Sequence, residues 1–137
     1  RKTPKARKVT LCYGVRTAVL LAGVDDFRRA GVEVLLSTDD GSLGHRGVVT
    51  DLIQQVVHAS QWPCYLVCCG PEPMLAAAAQ IARQCKLPCL VSLESPMACG
   101  IGICFSCAVK IRQPSGGWDY RRSCVEGPVF PAEDVVF

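Results

Sequence analysis

Four of the ten cysteines follow a spacing that constrains the fold of this 137-residue chain more than any other feature of its sequence. Cys99, Cys104 and Cys107 lie within one short segment, MACGIGICFSCAV, in the pattern C-x4-C-x2-C. The fourth, Cys124, follows after a further sixteen residues. The pattern predicts that one tight loop brings three thiols together and that a distant segment supplies the fourth.

This spacing is that of plant-type ferredoxins, in which four thiolates bind a [2Fe-2S] cluster. Gly100 and Gly102 suit the chemistry, because a loop wrapped round a cluster needs positive φ values and backbone N–H groups close to sulfur. Structural zinc is an alternative, although zinc sites usually pair their cysteines as two short knuckles and only Cys104 and Cys107 form one here. A disulfide pair and coincidence are the remaining alternatives. We predict a [2Fe-2S] cluster bound by all four cysteines.

The other six cysteines mostly lie in or beside apolar runs such as CYLVCCG and LPCLVSL, where a thiol behaves as a small buried hydrophobe. They are Cys12, Cys64, Cys68, Cys69, Cys85 and Cys89. Two such different settings for cysteine argue against a disulfide framework and for a reducing compartment. No apolar run approaches the roughly 20 residues that cross a bilayer, and no signal-peptide pattern opens the chain. We therefore expect a cytoplasmic protein.

Composition and charge exclude few further classes of protein. The chain is 50% hydrophobic and 20% charged, which is ordinary for a globular protein, and its length allows one domain with a small appended module. The net charge of +3 comes with a basic cluster at residues 1–8, which we interpret as a solvated end. Nucleic-acid binding is not indicated, because the other basic residues are mixed with acidic ones.

Between Val9 and Glu94, short apolar segments alternate with helical patterns. The predicted strands are residues 9–13, 32–37, 65–69 and 89–93, each apolar on both faces as in a covered parallel sheet. The predicted helices are residues 16–29, 48–59 and 73–85, the last rich in strong helix formers. This alternation predicts an α/β fold with right-handed crossovers and a doubly wound parallel sheet.

Three loops leave the carboxyl ends of these strands, where such sheets bind their ligands. They are YGVRT, STDDGSLGHRG and CGPEPM. After Glu94 the chain becomes rich in glycine and proline, with short β-like pieces at residues 108–112 and 120–122 and no long helix. We place a domain boundary near Ser95, giving units at 1–94 and 95–137. A small loop-rich module of this kind usually needs a metal or disulfide to hold it.

These residues together resemble a known family. SLESPMACGIGICFSC, followed by RRSCVEGPVFPAEDVVF, closely resembles the end of the electron transfer subunits of type B dihydroorotate dehydrogenases, which are iron-sulfur flavoproteins. YGVRTA, LLSTDDGSLGHRGVVTDLI and CCGPEPM resemble the NAD(P)-binding half of the ferredoxin reductase superfamily, to which those subunits belong. The resemblance covers nearly the whole chain from about Val9 onward.

The resemblance implies an electron path. NADH gives hydride to FAD, FAD passes single electrons to the cluster, and the cluster exchanges them with FMN in a separate catalytic subunit that oxidises dihydroorotate in pyrimidine biosynthesis. The chain would then be an oxidoreductase component in a hetero-oligomer, with no catalytic acid, base or nucleophile of its own.

The resemblance also implies the site residues. Cys99, Cys104, Cys107 and Cys124 match the cluster ligands. For each nucleotide loop a plain turn is the alternative, since DDG and GPEP are common turn sequences. The residues that match nucleotide-binding positions are Gly14, Arg16, Asp39, Asp40, Gly41, Cys69, Gly70 and Pro71.

The chain also departs from the family pattern. An N-terminal flavin-binding barrel and a glycine-rich strand-to-helix turn precede the nucleotide domain in the family, and neither is present here. The chain also begins at Arg1 without an initiating Met, so we expect a truncated or partial chain with most of the FAD site missing. Alternatives to the leading function are a related NADH-dependent ferredoxin reductase or sulfide dehydrogenase subunit, and a zinc-stabilised binding module. His45 and His58 are expected to be exposed, with a phosphate contact as the alternative for His45.

Overall fold

The computed structural model describes residues 8–61 and 63–137, so most of the N-terminal basic cluster lies outside the described residues. The chain divides into two compact units, Arg1–Ala59 and Ser60–Phe137. The boundary predicted near Ser95 stays a prediction. No helix in the described ranges is long and apolar enough to span a membrane.

The first unit is a small parallel sheet with helices. Its elements are β1 (Thr10–Val15), a 3-10 turn (Ala18–Leu20), α1 (Val24–Arg29), β2 (Glu33–Thr38), β3 (His45–Arg46) and α2 (Val49–Ala59). The three strands lie in the order β1-β2-β3 and are parallel, with Thr10 opposite Glu33 and Ser37 opposite His45. This register brings the ends of β1 and β2 to one edge, where the two following loops begin.

The first helix is shorter than the sequence predicted. In place of a helix over residues 16–29, the chain forms a 3-10 turn and then a six-residue α1. Gly23 separates them in the left-handed region, with φ +69°, and serves as the N-cap of α1. A residue at positive φ cannot continue a right-handed helix, so the helix restarts after it. The other two predicted helices are confirmed to within one residue at each end.

The second unit holds a mixed sheet and a hairpin. Its elements are β4 (Leu66–Cys69), α3 (Glu72–Gln84), β5 (Cys89–Ser92), β6 (Ala108–Arg112), β7 (Trp118–Arg122), α4 (Ser123–Glu126) and β8 (Val129–Pro131). β4 and β5 are parallel, β8 adds antiparallel to β5, and β6 and β7 form an antiparallel pair. Pro71 precedes α3 and Pro73 lies in its first turn, where a proline does not cost an intrahelical hydrogen bond.

The core of the second unit forms between α3 and its sheet. Leu75 is 1% exposed and Val91 is fully buried, and Phe130 and Val135 from the end of the chain are buried as well. Phe130 lies opposite Val91 in the pairing of β8 with β5, and Val135 forms an isolated bridge with Ile111. The buried positions of α3 recur every three or four residues, as an amphipathic helix requires. They are Leu75, Ala78, Ala79, Ile81 and Ala82.

The predicted α/β class with parallel strands is confirmed. The four predicted parallel strands shift by at most two residues at either end. β3, α4 and β8 were not predicted, because each is too short to show a periodic pattern. The hydrogen-bonded strands fall into sheets of three, three and two, so a single doubly wound sheet stays a prediction.

Candidate iron-sulfur and nucleotide-binding sites

The cysteine loop runs from the end of β5 to the start of β6 without regular secondary structure. Gly100 and Gly102 have φ values of +67° and +84°, in the left-handed region that the cysteine motif predicted. A Cβ atom on Gly102 would lie 2.7 Å from Cγ2 of Val125, whereas one on Gly100 would meet open space. Gly102 is therefore required both for its backbone conformation and for close contact with α4.

The four predicted ligands come together as two pairs. The sulfur atoms of Cys107 and Cys124 lie 3.2 Å apart and form no disulfide. The sulfur of Cys99 faces both the thiol and the backbone N–H of Cys104. Cys99 and Cys124 are close enough to interact electrostatically, so the two pairs are neighbours.

Backbone N–H groups surround these sulfur atoms. The pKa of Cys99 is lowered to about 6, first because the backbone N–H of Cys104 donates to its sulfur and then through that of Ile101. The pKa of Cys107 is also lowered, chiefly by the backbone N–H of Cys124. Donors that stabilise a thiolate suit a thiolate ligand, because the same N–H···S bonds remain when the sulfur binds iron.

The four thiols are arranged as two neighbouring pairs, which is compatible with a binuclear cluster. In the described part of the chain, no three His, Cys, Asp or Glu side chains are grouped to hold one metal ion. Structural zinc needs four ligands about one centre, at about 2.3 Å for each sulfur. Two neighbouring pairs of thiols would suit two irons with two cysteines each.

Two further side chains that the sequence reasoning missed support the loop. The hydroxyl of Ser106 accepts the N–H of Ala98 at 3.2 Å, donates to the carbonyl of Pro96 at 3.3 Å and lies 3.1 Å from the sulfur of Cys104. The guanidinium of Arg122 donates to the carbonyl of Gly102 at 2.9 Å. The hydroxyl within CFSC was a local signal for Ser106, whereas nothing in the sequence pattern distinguished Arg122 from Arg121.

In the first unit, the first two predicted nucleotide loops meet through Ser42. Its hydroxyl donates to Oδ1 of Asp40 at 2.6 Å and accepts the N–H of Ala18 at 2.8 Å. The backbone N–H of Asp40 also donates to the carbonyl of Arg16. The hydrogen bond from Ser42 holds the pKa of Asp40 below its usual range. Ser42 thus connects the first two predicted loops, and it is a contact that the sequence reasoning did not name.

The glycines of these loops are required by close packing. A Cβ atom on Gly14 would lie 2.6 Å from Cβ of Val49, so the start of α2 packs directly against the end of β1. Gly41 has φ +76° and turns the chain back after β2. Arg16 and Asp39 are both exposed at the same edge. Such an edge, lined by backbone and exposed polar side chains, can accept a nucleotide.

The two histidines differ in their exposure to solvent. His58 is exposed near the end of α2, as predicted. His45 is half-buried, and its Nε2 lies 3.0 Å from Oδ2 of Asp51 in α2. The expectation of simple exposure for His45 was therefore wrong, because a carboxylate in the first turn of α2 partners its ring.

The third predicted loop follows β4 in the second unit. Gly70 has φ +149°, a Cβ there would lie 2.9 Å from Cε of Met74, and Pro71 is the N-cap of α3. Cys69 is exposed while Cys68 is buried. Of the six cysteines expected to be mostly buried hydrophobes, Cys68 alone is fully buried, Cys12, Cys64, Cys85 and Cys89 are half-buried, and Cys69 is exposed, so that expectation was largely wrong. Cys68 and Cys69 differ because successive side chains of a strand point to opposite faces.

The class of protein follows from the fold and these sites. The structure resembles that of an NADH-dependent reduced ferredoxin-NADP oxidoreductase, solved in a study of flavin-based electron bifurcation, with a TM-score of 0.75 and 31% sequence identity. The match covers 94% of this chain and 44% of that one. The chain thus has the α/β architecture of a ferredoxin-reductase type of oxidoreductase.

The chain is also similar in sequence to subunits of one enzyme, dihydroorotate dehydrogenase B. Residues 94–136 match the family described as the iron-sulfur cluster binding domain of dihydroorotate dehydrogenase B. The chain is 39% identical over 136 residues to the dihydroorotate dehydrogenase B (NAD(+)) electron transfer subunit of Caldanaerobacter subterraneus subsp. tengcongensis, covering 99% of this chain and 52% of the relative. It is 40% identical over 113 residues to that of Clostridium acetobutylicum, covering 82% and 42%. The resemblance predicted from the sequence is confirmed, and the chain spans about half the length of these relatives.

Proposed function

We propose that this chain acts in the electron transfer subunit of a type B dihydroorotate dehydrogenase. It would carry a [2Fe-2S] cluster on Cys99, Cys104, Cys107 and Cys124. Its role would be to pass electrons between NAD(H), FAD and the FMN-containing catalytic subunit, in a hetero-oligomer that serves pyrimidine biosynthesis. The match of residues 94–136 to the iron-sulfur domain and the names of the full-length relatives support this assignment.

The observation that carries the proposal is the grouping of the four thiols as two neighbouring pairs. A distance of 3.2 Å separates the sulfurs of Cys107 and Cys124, and Cys104 faces Cys99. When bound, a [2Fe-2S] cluster supplies one-electron transfer at a potential set by its protein surroundings. The chain's own part is to hold four thiolates, to direct backbone N–H groups at them and to limit water around Cys107, which is 2% exposed.

The surface beside the cysteine loop supports exchange of electrons with a partner. Cys104 is exposed, and apolar side chains on both sides of it are exposed too. Exposed apolar groups of this size around a redox site suit contact with another protein. They are Met97 at 53%, Ile101 at 69%, Ile103 at 73% and Phe105 at 59%.

We further propose that the loops after β1 and β2 in the first unit contribute to NAD(H) binding. Gly14 and Arg16 would line the first loop, and Asp39, Asp40 and Gly41 the second. The hydrogen bonds through Ser42 support a preformed edge for these two loops. Cys69, Gly70 and Pro71 would lie beside the nicotinamide, as the resemblance implies.

Anaerobic reconstitution with ferrous iron and sulfide tests the cluster. The loaded chain should be brown and hold about two irons and two sulfides, with the visible absorption of a [2Fe-2S] protein. Cys104→Ser should abolish that absorption, whereas Cys85→Ser, which changes a thiol at the end of α3, should retain it. A colourless protein that holds one zinc would overturn the proposal in favour of a zinc-stabilised binding module.

A related NADH-dependent ferredoxin reductase or sulfide dehydrogenase subunit is the second candidate. The similarity to a ferredoxin-NADP oxidoreductase at a TM-score of 0.75 favours it. Calorimetric titration of the loaded chain distinguishes the two. Binding to the FMN-containing catalytic subunit from the same organism supports the dihydroorotate system, and binding to ferredoxin alone supports the second candidate.

A further inference from the structure

Arg122 joins the two parts of the predicted cluster site. Its guanidinium donates from Nη1 to the carbonyl of Gly102 at 2.9 Å and lies 5.2 Å from the centre of the Phe105 ring. Arg122 is also the N-cap of α4, the short helix that contains Cys124. One side chain therefore contacts the cysteine loop at two points while its own backbone leads into the fourth ligand.

Gly102 links Arg122 to the sulfur atom of Cys124. The carbonyl of Gly102 accepts from Arg122, and the N–H of the same residue faces the thiol of Cys124. The carbonyl and the N–H of Gly102 belong to adjacent peptide planes joined at its Cα, so the hydrogen bond to the carbonyl restricts the rotations that set the direction of the N–H. Gly102 has a backbone that would otherwise be free to turn, since it carries no side chain and has φ +84°.

Glu126 keeps Arg122 in place. Its Oε2 atom accepts the backbone N–H of Arg122 at 2.8 Å and lies 3.5 Å from Nε of the same residue. Its other oxygen lies 3.4 Å from Nε of Arg121, so the carboxylate is shared between two arginines. The carboxylate thus neutralises only part of the positive charge beside the loop.

We propose that Arg122 is a positioning residue that clamps the cysteine loop onto α4 and raises the reduction potential of the bound cluster. The inference rests on the proposed function. Reduction adds negative charge to a cluster, so a nearby cation and a well-aimed N–H···S bond both favour the reduced state. Arg122 supplies the first directly and the second through Gly102.

The test compares Arg122→Gln with Arg121→Gln. Both changes remove one positive charge next to Glu126, but the described contacts of Arg121 are with Asp119, Tyr120, Gln113 and Glu126 and none is with the cysteine loop. Redox titration of the loaded chain, followed by visible absorption, should give a lower midpoint potential for Arg122→Gln than for wild type or Arg121→Gln. Arg122→Lys, which keeps the charge, should recover part of the difference.

A second measurement uses the chain without iron. Hydrogen exchange of the amides at residues 100–105, read by mass spectrometry, should be faster in Arg122→Gln than in Arg121→Gln, because the clamp is lost. Equal exchange rates and equal potentials in the two glutamine variants would overturn the inference. Faster exchange with an unchanged midpoint potential would show that the clamp exists, but it would overturn the claim that Arg122 raises the reduction potential. If wild type bound no cluster, the proposed function would fail, and the exchange rates would still decide whether the clamp exists.

Discussion

The sulfur atoms of Cys107 and Cys124 lie 3.2 Å apart although the residues are seventeen positions apart in sequence. Cys107 is 2% exposed, and Cys124 comes to it on α4. The backbone N–H of Ser123 donates to the carbonyl of Cys107 at 3.1 Å, which holds the start of α4 beside the loop. The fourth predicted ligand is thus brought to the third by backbone hydrogen bonding as well as by side-chain contacts.

Because these two sulfurs are close, we expect Cys107 and Cys124 to be readily oxidised to a disulfide once the iron is removed. After chelation, diamide should take two electrons and two protons from Cys107 and Cys124 and leave them joined in a disulfide, because their sulfurs, 3.2 Å apart, need to approach by only about 1 Å to reach bonding distance. Peptide mapping under non-reducing conditions should recover the linked pair, and iron-loaded protein should resist the same treatment. Links that involve Cys99 or Cys104 in equal amount would contradict the expected pairing.

Replacement by alanine should destabilise the chain less at Gly100 than at Gly102. Gly100→Ala should cost about 1–2 kcal/mol of stability, because alanine is strained at its φ of +67° and meets no other atom. Gly102→Ala should cost a further ~1–3 kcal/mol, because its Cβ would lie 2.7 Å from Val125. Urea unfolding of the chain without iron measures both. Equal losses would show that the contact with α4 carries no strain.

Removal of either of two neighbouring hydroxyls at the end of β2 should affect the free energy of unfolding differently. Thr38 is fully buried; its Oγ1 donates to the carbonyl of Leu43 at 2.8 Å and accepts the N–H of the same residue at 3.1 Å. Thr38→Val should cost about 1–3 kcal/mol, since both groups of Leu43 lose their partner. The buried Ser37 hydroxyl has no hydrogen-bond partner among the described residues, so Ser37→Ala should leave the free energy of unfolding unchanged or raise it.

Acid should destabilise the second unit partly through Glu126. The backbone N–H of Arg122 lowers the pKa of this carboxyl from its ordinary value of 4.5, and the two neighbouring arginines act in the same direction. A carboxyl with a lowered pKa in the folded state adds stability above its unfolded pKa and loses it as the pH falls through the folded pKa.

Glu126→Gln keeps an oxygen acceptor and removes the titration. Its unfolding midpoint in urea should therefore fall less steeply below pH 4.5 than that of wild type. Glu133→Gln, at an exposed position near the end of the chain, is the matched control and should follow wild type. A Glu126 variant as acid-sensitive as wild type would assign the effect to other carboxyls.

Local features of the sequence predicted much of this molecule. The strands at Thr10–Val15 and Cys89–Ser92 and the helix at Glu72–Gln84 were predictable because their apolar pattern or helix propensity lies within a few consecutive residues. The helix proposed over residues 16–29 failed where Gly23 adopts φ +69°, a conformation that periodicity does not reveal. The grouping of the four cysteines agrees with their spacing, and their role as cluster ligands stays a prediction.

By itself, the sequence determined the cysteine spacing, the positive φ of Gly100 and Gly102 and the family resemblance, because each depends on residue types at short range. Only the tertiary structure decided that β8 pairs with β5, that Cys124 lies 3.2 Å from Cys107 and that Arg122, unlike Arg121, reaches Gly102. These contacts join residues far apart in sequence. Their distances depend on how the hairpin, α4 and the cysteine loop pack together, and local propensity carries no information about that packing.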